Sequence, residues 1–309
     1  MTEQQQTRER WLANRFDLEK TRRKRQRTGG IVQRLWKLFD KLINLFGFIL
    51  KLTGLYSRGF NNALNIRLRE ITLNFPNLPE SFDGYKILHL TDLHLDIIAG
   101  LENKIISVVQ DVNADLCVMT GDYRKDTSGE FRQILEPLKK LNAAISAKDG
   151  IFATLGNHDS YLMVKPMCKM GIKVLTNETV KLNREDEHIF ITGIDDVHYY
   201  FSQDALTALG KNVDGFKIAL VHSPELFDVA ANNNYSLYLC GHTHAGQICL
   251  PGGKPLITHL SNGKKFYKNV WKYKAMTGFT GSGTGTSGIP VRYNSKSEIT
   301  IITLKRATR

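Results

Sequence analysis

The chain has 309 residues, 42% hydrophobic and 23% charged, enough for one large core or a domain with an appendage, and a soluble α/β enzyme is the default class. The net charge of +12 is concentrated in residues 1 to 60, which hold 14 Lys and Arg against 5 Asp and Glu, whereas the remainder holds 28 against 25. That distribution speaks against a nucleic-acid-binding catalytic surface and for a basic arm that meets an anionic partner, and the four cysteines, with no C-x-x-C pair, exclude a structural thiolate zinc site.

The first thirty residues are polar, end in "TRRKRQRTGG", and are expected to be mobile unless bound to something. In "IVQRLWKLFDKLINLFGFILKL" the apolar residues Val32, Leu35, Trp36, Phe39, Leu42, Ile43, Phe46, Ile49 and Leu50 recur at helical spacing, with Arg34, Lys37, Lys41, Asn44 and Lys51 on the opposite arc. Charges interrupt this helix too often for a membrane span. The Arg22-Arg23 pair invites a twin-arginine export reading, but the lysines that follow and the missing small-x-small site disfavour it. Two readings stay open: the helix packs on the rest of the protein or on a copy of itself, or it lies in a membrane interface with "RRKR" on anionic headgroups. The coincidence of basic flank and aromatic-rich face favours an anionic membrane surface, with the protein peripheral on the cytoplasmic face of the inner membrane. The expected division is an arm over 1–60 and a catalytic domain over 61–309.

From "REITLNF" onward, apolar runs of strand length ("KILHLT", "DLCVMT", "IFATL", "KIALV", "YSLYLC") alternate with helical stretches such as "LENKIISVVQDV" and "EFRQILEPLKKL". Runs apolar on both faces predict strands covered on both sides. The later strands "HIFITG" and "EITIITL" fit a second sheet.

What stands at the strand ends is more informative. The five runs lead into Asp92 and His94, Asp122, Asn157-His158-Asp159, His222, and His242 and His244. Ligand sites of α/β folds form at the carboxyl ends of strands, so these residues are expected to converge. Imidazole, carboxylate and amide donors without thiolate suit Mn²⁺, Fe²⁺ or Zn²⁺, and about seven candidates are too many for one ion but suit two ions sharing a carboxylate. His89, His188, His198 and His259 have no partner at a strand end and are read as structural or surface residues.

The ordered series D-x-H, G-D, G-N-H-D, H and G-H-T-H resembles the calcineurin-like metallophosphoesterase superfamily. Within it, "DLHLD", "GDYRKD", "GNHDS", "HSPE", "GHTHAGQICLP" and "GTGTSGIPVR" are similar to a bacterial branch of membrane-associated phosphodiesterases that includes a UDP-2,3-diacylglucosamine hydrolase. The resemblance runs from about Ile71 to Leu304. It implies a four-layer α/β sandwich of two mixed β-sheets flanked by helices. It also implies that Asp92, His94 and His244 hold one metal, that Asn157, His222 and His242 hold the other, and that Asp122 bridges them. His158 would stand near the leaving group, oriented by Asp159. A water between two such metals is a nucleophile near neutral pH, and four metal charges against two carboxylates leave a positive excess suited to a phosphate ester or pyrophosphate.

Smaller features have bland readings beside functional ones. Asp96 is a solvated turn residue. Arg124 either reaches a second phosphate or forms a surface salt bridge. "TGSGTGTSG" is either a backbone N–H cradle for phosphate or a turn before the last strand, and the turn is favoured because the Lys and helix of a P-loop are missing. "GKKFYKNVWKYK" interleaves lysines and aromatics as single-strand nucleic-acid surfaces do, and a strand edge or a second membrane-facing loop explains it equally well. The expected function is hydrolysis of a phosphodiester or pyrophosphate bond in a lipid-linked substrate, UDP-2,3-diacylglucosamine first, with a broad-specificity phosphodiesterase and a non-enzymatic scaffold as alternatives.

Overall fold

The computed structural model describes residues 3–28 and 31–307. The side chains of Arg25, Val32, Leu35, Trp36, Lys37 and Phe39, part of the arm's expected basic flank and membrane face, lie outside the described residues. Three helices come first: α1 (Glu3–Thr28), α2 (Ile31–Leu52) and α3 (Leu55–Leu64). The strands then follow in chain order as β1 (Ile66–Phe75), β2 (Lys86–Leu90), β3 (Asn113–Ala114), β4 (Leu116–Thr120), β5 (Ser146–Ala147), β6 (Ile151–Thr154) and β7 (Ile172–Val174). The second half contains β8 (Glu178–Arg184), β9 (Glu187–Gly193), β10 (Phe216–Leu220), β11 (Leu237–Cys240), β12 (Asn269–Tyr273), β13 (Met276–Thr280) and β14 (Ser297–Arg306).

One six-stranded sheet has the order β1-β14-β2-β4-β6-β7 and the other β12-β13-β11-β10-β9-β8. The expected second sheet therefore contains "HIFITG" (β9) but not "EITIITL". That strand, β14, pairs parallel with β1 and antiparallel with β2 in the first sheet. An alternating apolar strand satisfies either sheet equally, and only the chain's return path decides between them. "GKKFYKNVWKYK" supplies β12, an edge strand, paired with β13 alone.

The period-2 alternation of strands explains the layering. Ile87, Leu116, Val118, Ile191, Ile218, Leu239 and Ile302 point into a core between the two sheets. Their neighbours Leu88, Cys117, Met119 and Ile301 face the helices over the first sheet, among them those at Leu101–Val109 and Leu135–Ala144. Ala219, Val221, Tyr238 and Cys240 face a third core over the second sheet. The result is helices, sheet, sheet, helices, with the carboxyl ends of β2, β4, β6, β10 and β11 opening onto one region.

The arm corrects one expectation. Residues 3–28 form a continuous helix docked on the catalytic domain, burying Trp11, Arg15 and Glu19 to 3%, 1% and 5% exposure. Trp11 Nε1 donates to Asp195 Oδ2 at 2.7 Å, and Arg15 Nη1 donates to Asp195 Oδ1 at 2.8 Å. Three buried side chains one turn apart escape a composition reading because two of them are charged; their burial is compensated by partners distant in sequence. Helix α2 touches the protein through Gly47, where an added Cβ would meet Ile289 at 3.4 Å, and through Ile43 beside Gly288, with Leu50 buried. Its outward stripe of Leu38, Leu42, Leu45, Ile49 and Leu52, spaced four, three, four and three apart, is exposed, as is Phe48. Among the described residues no helix is long and apolar enough to cross a membrane.

Candidate metal centre

The strand ends need unusual backbone to aim their side chains at one point. Asp92, His94, Asp122, His242 and His244 all have positive φ, between 39° and 71°. Such conformations cost about 1 kcal/mol or more each for a residue with a Cβ and persist only where the surroundings enforce them. The enforcing contacts are tight glycine approaches. A Cβ on Gly121 would stand 2.5 Å from Gly156 N, and one on Gly241 would overlap Thr91 Oγ1 and Asp92 Oδ2. Gly283 and Gly285 press on Asp92 and Leu93 from behind, so "TGSGTGTSG" leads to β14 and also backs the first ligand strand. Arg292, fully buried, holds that stretch by donating to the carbonyls of Ser282, Gly283 and Gly285, and to that of His244.

Two groups of donor atoms result, Asp92 with His94 and His244, and Asp122 with His222 and His242. In the first, His94 Nε2 lies 3.3 Å from His244 Nε2, and His244 Nε2 lies 3.5 Å from Asp92 Oδ1. In the second, His242 Nδ1 lies 3.2 Å from His222 Nε2 and 2.9 Å from Asn157 Oδ1, which is itself 3.1 Å from His222 Nε2. Asp122 Oδ2 sits between the groups, 3.7 Å from His94 Nε2 and 3.3 Å from His222 Nε2. His94 Nδ1 donates to the Arg124 carbonyl at 2.8 Å and His222 Nδ1 to the Thr120 carbonyl at 2.7 Å. A carbonyl can only accept, so Nδ1 carries a proton in each ring and Nε2 is the nitrogen turned toward the ligand group.

The electrostatics point the same way. Burial pushes His94 down to about 4, and burial with like-charged neighbours holds His242 and His244 well below the ordinary range, so all three are neutral. Burial works to lower His222 as well, yet Asp122, Asp92 and Asp196 raise it to about 10. Burial alone would raise Asp122, but His222, His158 and His94 keep it well below the usual carboxylate range. Neutral imidazoles, an ionised carboxylate and an amide oxygen converging without thiolate fit divalent metal ions, and binding there would displace the proton on His222.

Two expectations about the surrounding residues change. Asp159 does not touch the His158 ring. Its carboxylate accepts the backbone N–H groups of Asp122, Tyr123 and Gly156 at 2.7 to 2.9 Å, so it braces the two ligand loops against each other. The His158 ring is oriented by the Lys125 carbonyl, to which Nδ1 donates, leaving Nε2 3.8 Å from Asp122 Oδ2. Arg124, 1% exposed, donates to the carbonyls of His158, Gly129 and Glu130, so it is a buried brace for the His158 loop and not a surface salt bridge. Asp96 accepts from Lys125 N at 2.7 Å in an exposed turn, as its bland reading has it. His89 is a core residue, donating to or accepting from Thr120 Oγ1 at 2.9 Å.

His198, expected to be structural or on the surface, stacks its ring on His242 with centroids 4.1 Å apart, and its Nδ1 pairs with Glu225 at 3.1 Å. The signal was present: β9 runs into "GIDDVH", a sixth strand end carrying Asp and His. The contacts from α1 had no such signal. Arg15 Nη2 donates to the Asp159 carbonyl at 2.8 Å, and Arg22 Nη1 to the Asn157 carbonyl at 3.3 Å.

Comparison with known proteins agrees with this geometry. A family model described as calcineurin-like phosphoesterase matches residues 85–246, which include every candidate ligand. The chain is 32% identical over 267 residues to a transmembrane protein with metallophosphoesterase domain from Danio rerio, covering 80% of this chain and 59% of that protein. It is 32% identical over 251 residues to the uncharacterized metallophosphoesterase YkuE of Bacillus subtilis, covering 78% and 86%. A second B. subtilis protein, the uncharacterized metallophosphoesterase YkoQ, is 28% identical over 277 residues, covering 83% and 98%. The ligand geometry and these matches agree: the chain belongs to the calcineurin-like phosphoesterase family, and its catalytic domain is that of a metal-dependent phosphoesterase.

Proposed function

We propose that the protein hydrolyses a phosphodiester or pyrophosphate bond in a lipid-linked substrate at the cytoplasmic membrane surface, using two divalent ions, manganese first among them. The position of Asp122 carries the hydrolytic reading, since one carboxylate oxygen faces imidazoles of both ligand groups. When bound, the ions supply Lewis acidity and a water of lowered pKa. The protein's own groups do the rest. Asn157 would ligate without adding negative charge, so that Asp92 and Asp122 would leave the loaded centre with an excess of about two positive charges suited to a phosphate. His158, fixed through Nδ1, can carry a proton at Nε2 for the departing oxygen. Asp159 and Arg124 hold that loop rigid from below.

The membrane half rests on α2, whose outward stripe from Leu38 to Leu52 is apolar and flanked by exposed Arg34, Lys41 and Lys51. A continuous exposed apolar face beside cations suits an anionic bilayer surface. The Danio relative's name places that protein in a membrane. UDP-2,3-diacylglucosamine is the first substrate to try, on the sequence resemblance. In flotation with phosphatidylglycerol and phosphatidylethanolamine vesicles, the full chain floats, and a variant with Leu42→Ser, Leu45→Ser and Ile49→Ser floats far less. Equal flotation removes the membrane reading. A manganese-loaded enzyme that cleaves a chromogenic phosphodiester but releases no UMP from the lipid removes that substrate and leaves the hydrolase.

A further inference from the structure

Helix α1 grips the segment that bears His158 at nearly every residue. Besides the contacts of Arg15 to the Asp159 carbonyl and Arg22 to the Asn157 carbonyl, Glu19 accepts from Ser160 Oγ and from Tyr161 N, both at 2.8 Å. On its other side the helix meets the loop after β9, through Asp195 and through the two tyrosines Tyr199 and Tyr200. Arg22 stands where these two loops face each other. Its Nη1 donates to the Asn157 carbonyl and to Tyr200 Oη at 3.0 Å, and its guanidinium lies 3.4 Å from the centroid of the Tyr199 ring.

Arg15 and Arg22 differ in a way that matters. Arg15 is fully buried and paired with Asp195 and Glu19. Arg22 is half-buried and makes no ion pair among the described residues, and its Nε and Nη2 groups take no hydrogen bond there. An arginine held by a carbonyl and an aromatic face has its position set but its charge unanswered. It belongs to the same residue-length neighbourhood as Asn157, whose amide oxygen joins the ligand group. Tyr199, whose ring the guanidinium lies against, is 40% exposed and tied by its N–H to Asp196 Oδ2 at 2.8 Å. A partly desolvated cation beside a centre that is already positive when loaded is unfavourable unless an anion is shared between them.

We propose that Arg22 is a specificity-determining residue: its free donors receive a second anionic group next to the scissile phosphate, so that the site prefers pyrophosphate-like substrates to those with a single phosphate. The guanidinium fork suits such a group, because it offers two parallel donors where a lysine offers a point charge. This rests on the hydrolase reading above and names the substrate feature that the arm selects. It also makes α1 part of the active site, since the residue that reads the second anion arrives on the N-terminal helix.

The test uses the manganese-loaded full chain and two ligands that cannot be hydrolysed, methylenediphosphonate and methylphosphonate, with binding measured by calorimetry. Hydrogen exchange over residues 11–24 reports whether α1 stays docked. Wild type binds the diphosphonate more tightly, and Arg22→Gln, which keeps an amide donor for Asn157 but no charge, reduces that preference roughly tenfold or more. Lys20→Ala, removing an exposed charge from the same helix, leaves the preference as it was. A docked helix with an unchanged preference in Arg22→Gln overturns the proposal. If the Gln variant undocks the helix, Arg22→Lys decides: it keeps the charge but lacks the fork, and an undiminished preference there overturns the proposal too. Wild type that binds neither phosphonate sinks the hydrolase reading itself, whereas binding of both with a ratio indifferent to Arg22 sinks only this inference.

Discussion

Replacing Arg15 with Met tests whether the arm is held by a buried ion pair. Arg15 is 1% exposed; it donates to Asp195 at 2.8 Å, to Glu19 at 3.2 Å and to the Asp159 carbonyl at 2.8 Å, and its guanidinium lies 3.1 Å from the Tyr200 ring centroid. The Met side chain fills much of the space but leaves Asp195, 2% exposed, with the N–H groups of Trp11 and Asp196 as the remaining donors to its carboxylate among the described residues. Breaking a buried pair from one side costs about 3–5 kcal/mol, because the remaining charge stays desolvated. The protein can avoid part of that by releasing α1, so the loss cannot exceed what docking contributes. Burial of Trp11 adds about 2–3 kcal/mol to that docking. The expected outcome is amide exchange in residues 9–24 faster by about a hundredfold, the equivalent of about 3 kcal/mol. Adding Asp195→Asn to Arg15→Met recovers at least about 1 kcal/mol, since an unpaired amide is cheaper to bury than an unpaired carboxylate. Exchange within threefold of wild type, or an Asn that simply adds its own loss, refutes the role of the ion pair.

Three further outcomes follow from the same geometry. Asp122→Asn tolerates the φ of 59° and keeps the acceptor for His158 N–H at Oδ1, but loses the charge facing both ligand groups; metal content by mass spectrometry falls below that of wild type at equal manganese, with far-ultraviolet circular dichroism unchanged. Gly241→Ala forces a methyl into Thr91 and Asp92, so urea unfolding shows a loss of about 1–3 kcal/mol together with weaker metal binding, and an Ala variant as stable as wild type contradicts the close approach. His89, buried and pushed down to about 3 from an ordinary 6.5, binds a proton in the unfolded chain but not in the folded one between those values. Its contribution is therefore intact above pH 6.5 and lost as pH falls, by up to about 1.4 kcal/mol per pH unit. Wild type should lose stability on acidification from pH 6.5 to 4 more steeply than His89→Gln, and parallel profiles would count against it.

The metal ligands were legible because their signals are local. Each strand end carries its own short motif, and a parallel strand must deliver its carboxyl-terminal residue to the same edge as its neighbours. The edge gathers the ligands; the place of Asp122 between two histidine groups was implied by the family resemblance. The braces were not legible, because a hydrogen bond to a backbone carbonyl leaves no mark on the sequence. Arg124 and Arg292 look like surface cations until the carbonyls they cap are seen. Asp159 looks like a partner for His158 until its carboxylate is found on three backbone N–H groups.

The arm shows the same division on a larger scale. Charge and spacing determined that residues 31–52 make an amphipathic helix with an apolar face, since both periodicity and composition are properties of neighbours along the chain. Whether the polar segment before it is free or docked depends on Asp195 and on carbonyls of the Asn157–Asp159 loop, well over a hundred residues away. A charged helix is stable against a protein surface only where buried partners answer its charges, and those partners exist only once both sheets have folded. Residue order and the family resemblance it carries therefore pointed to the reaction centre. The tertiary structure decided that a cation from the far end of the chain stands beside it.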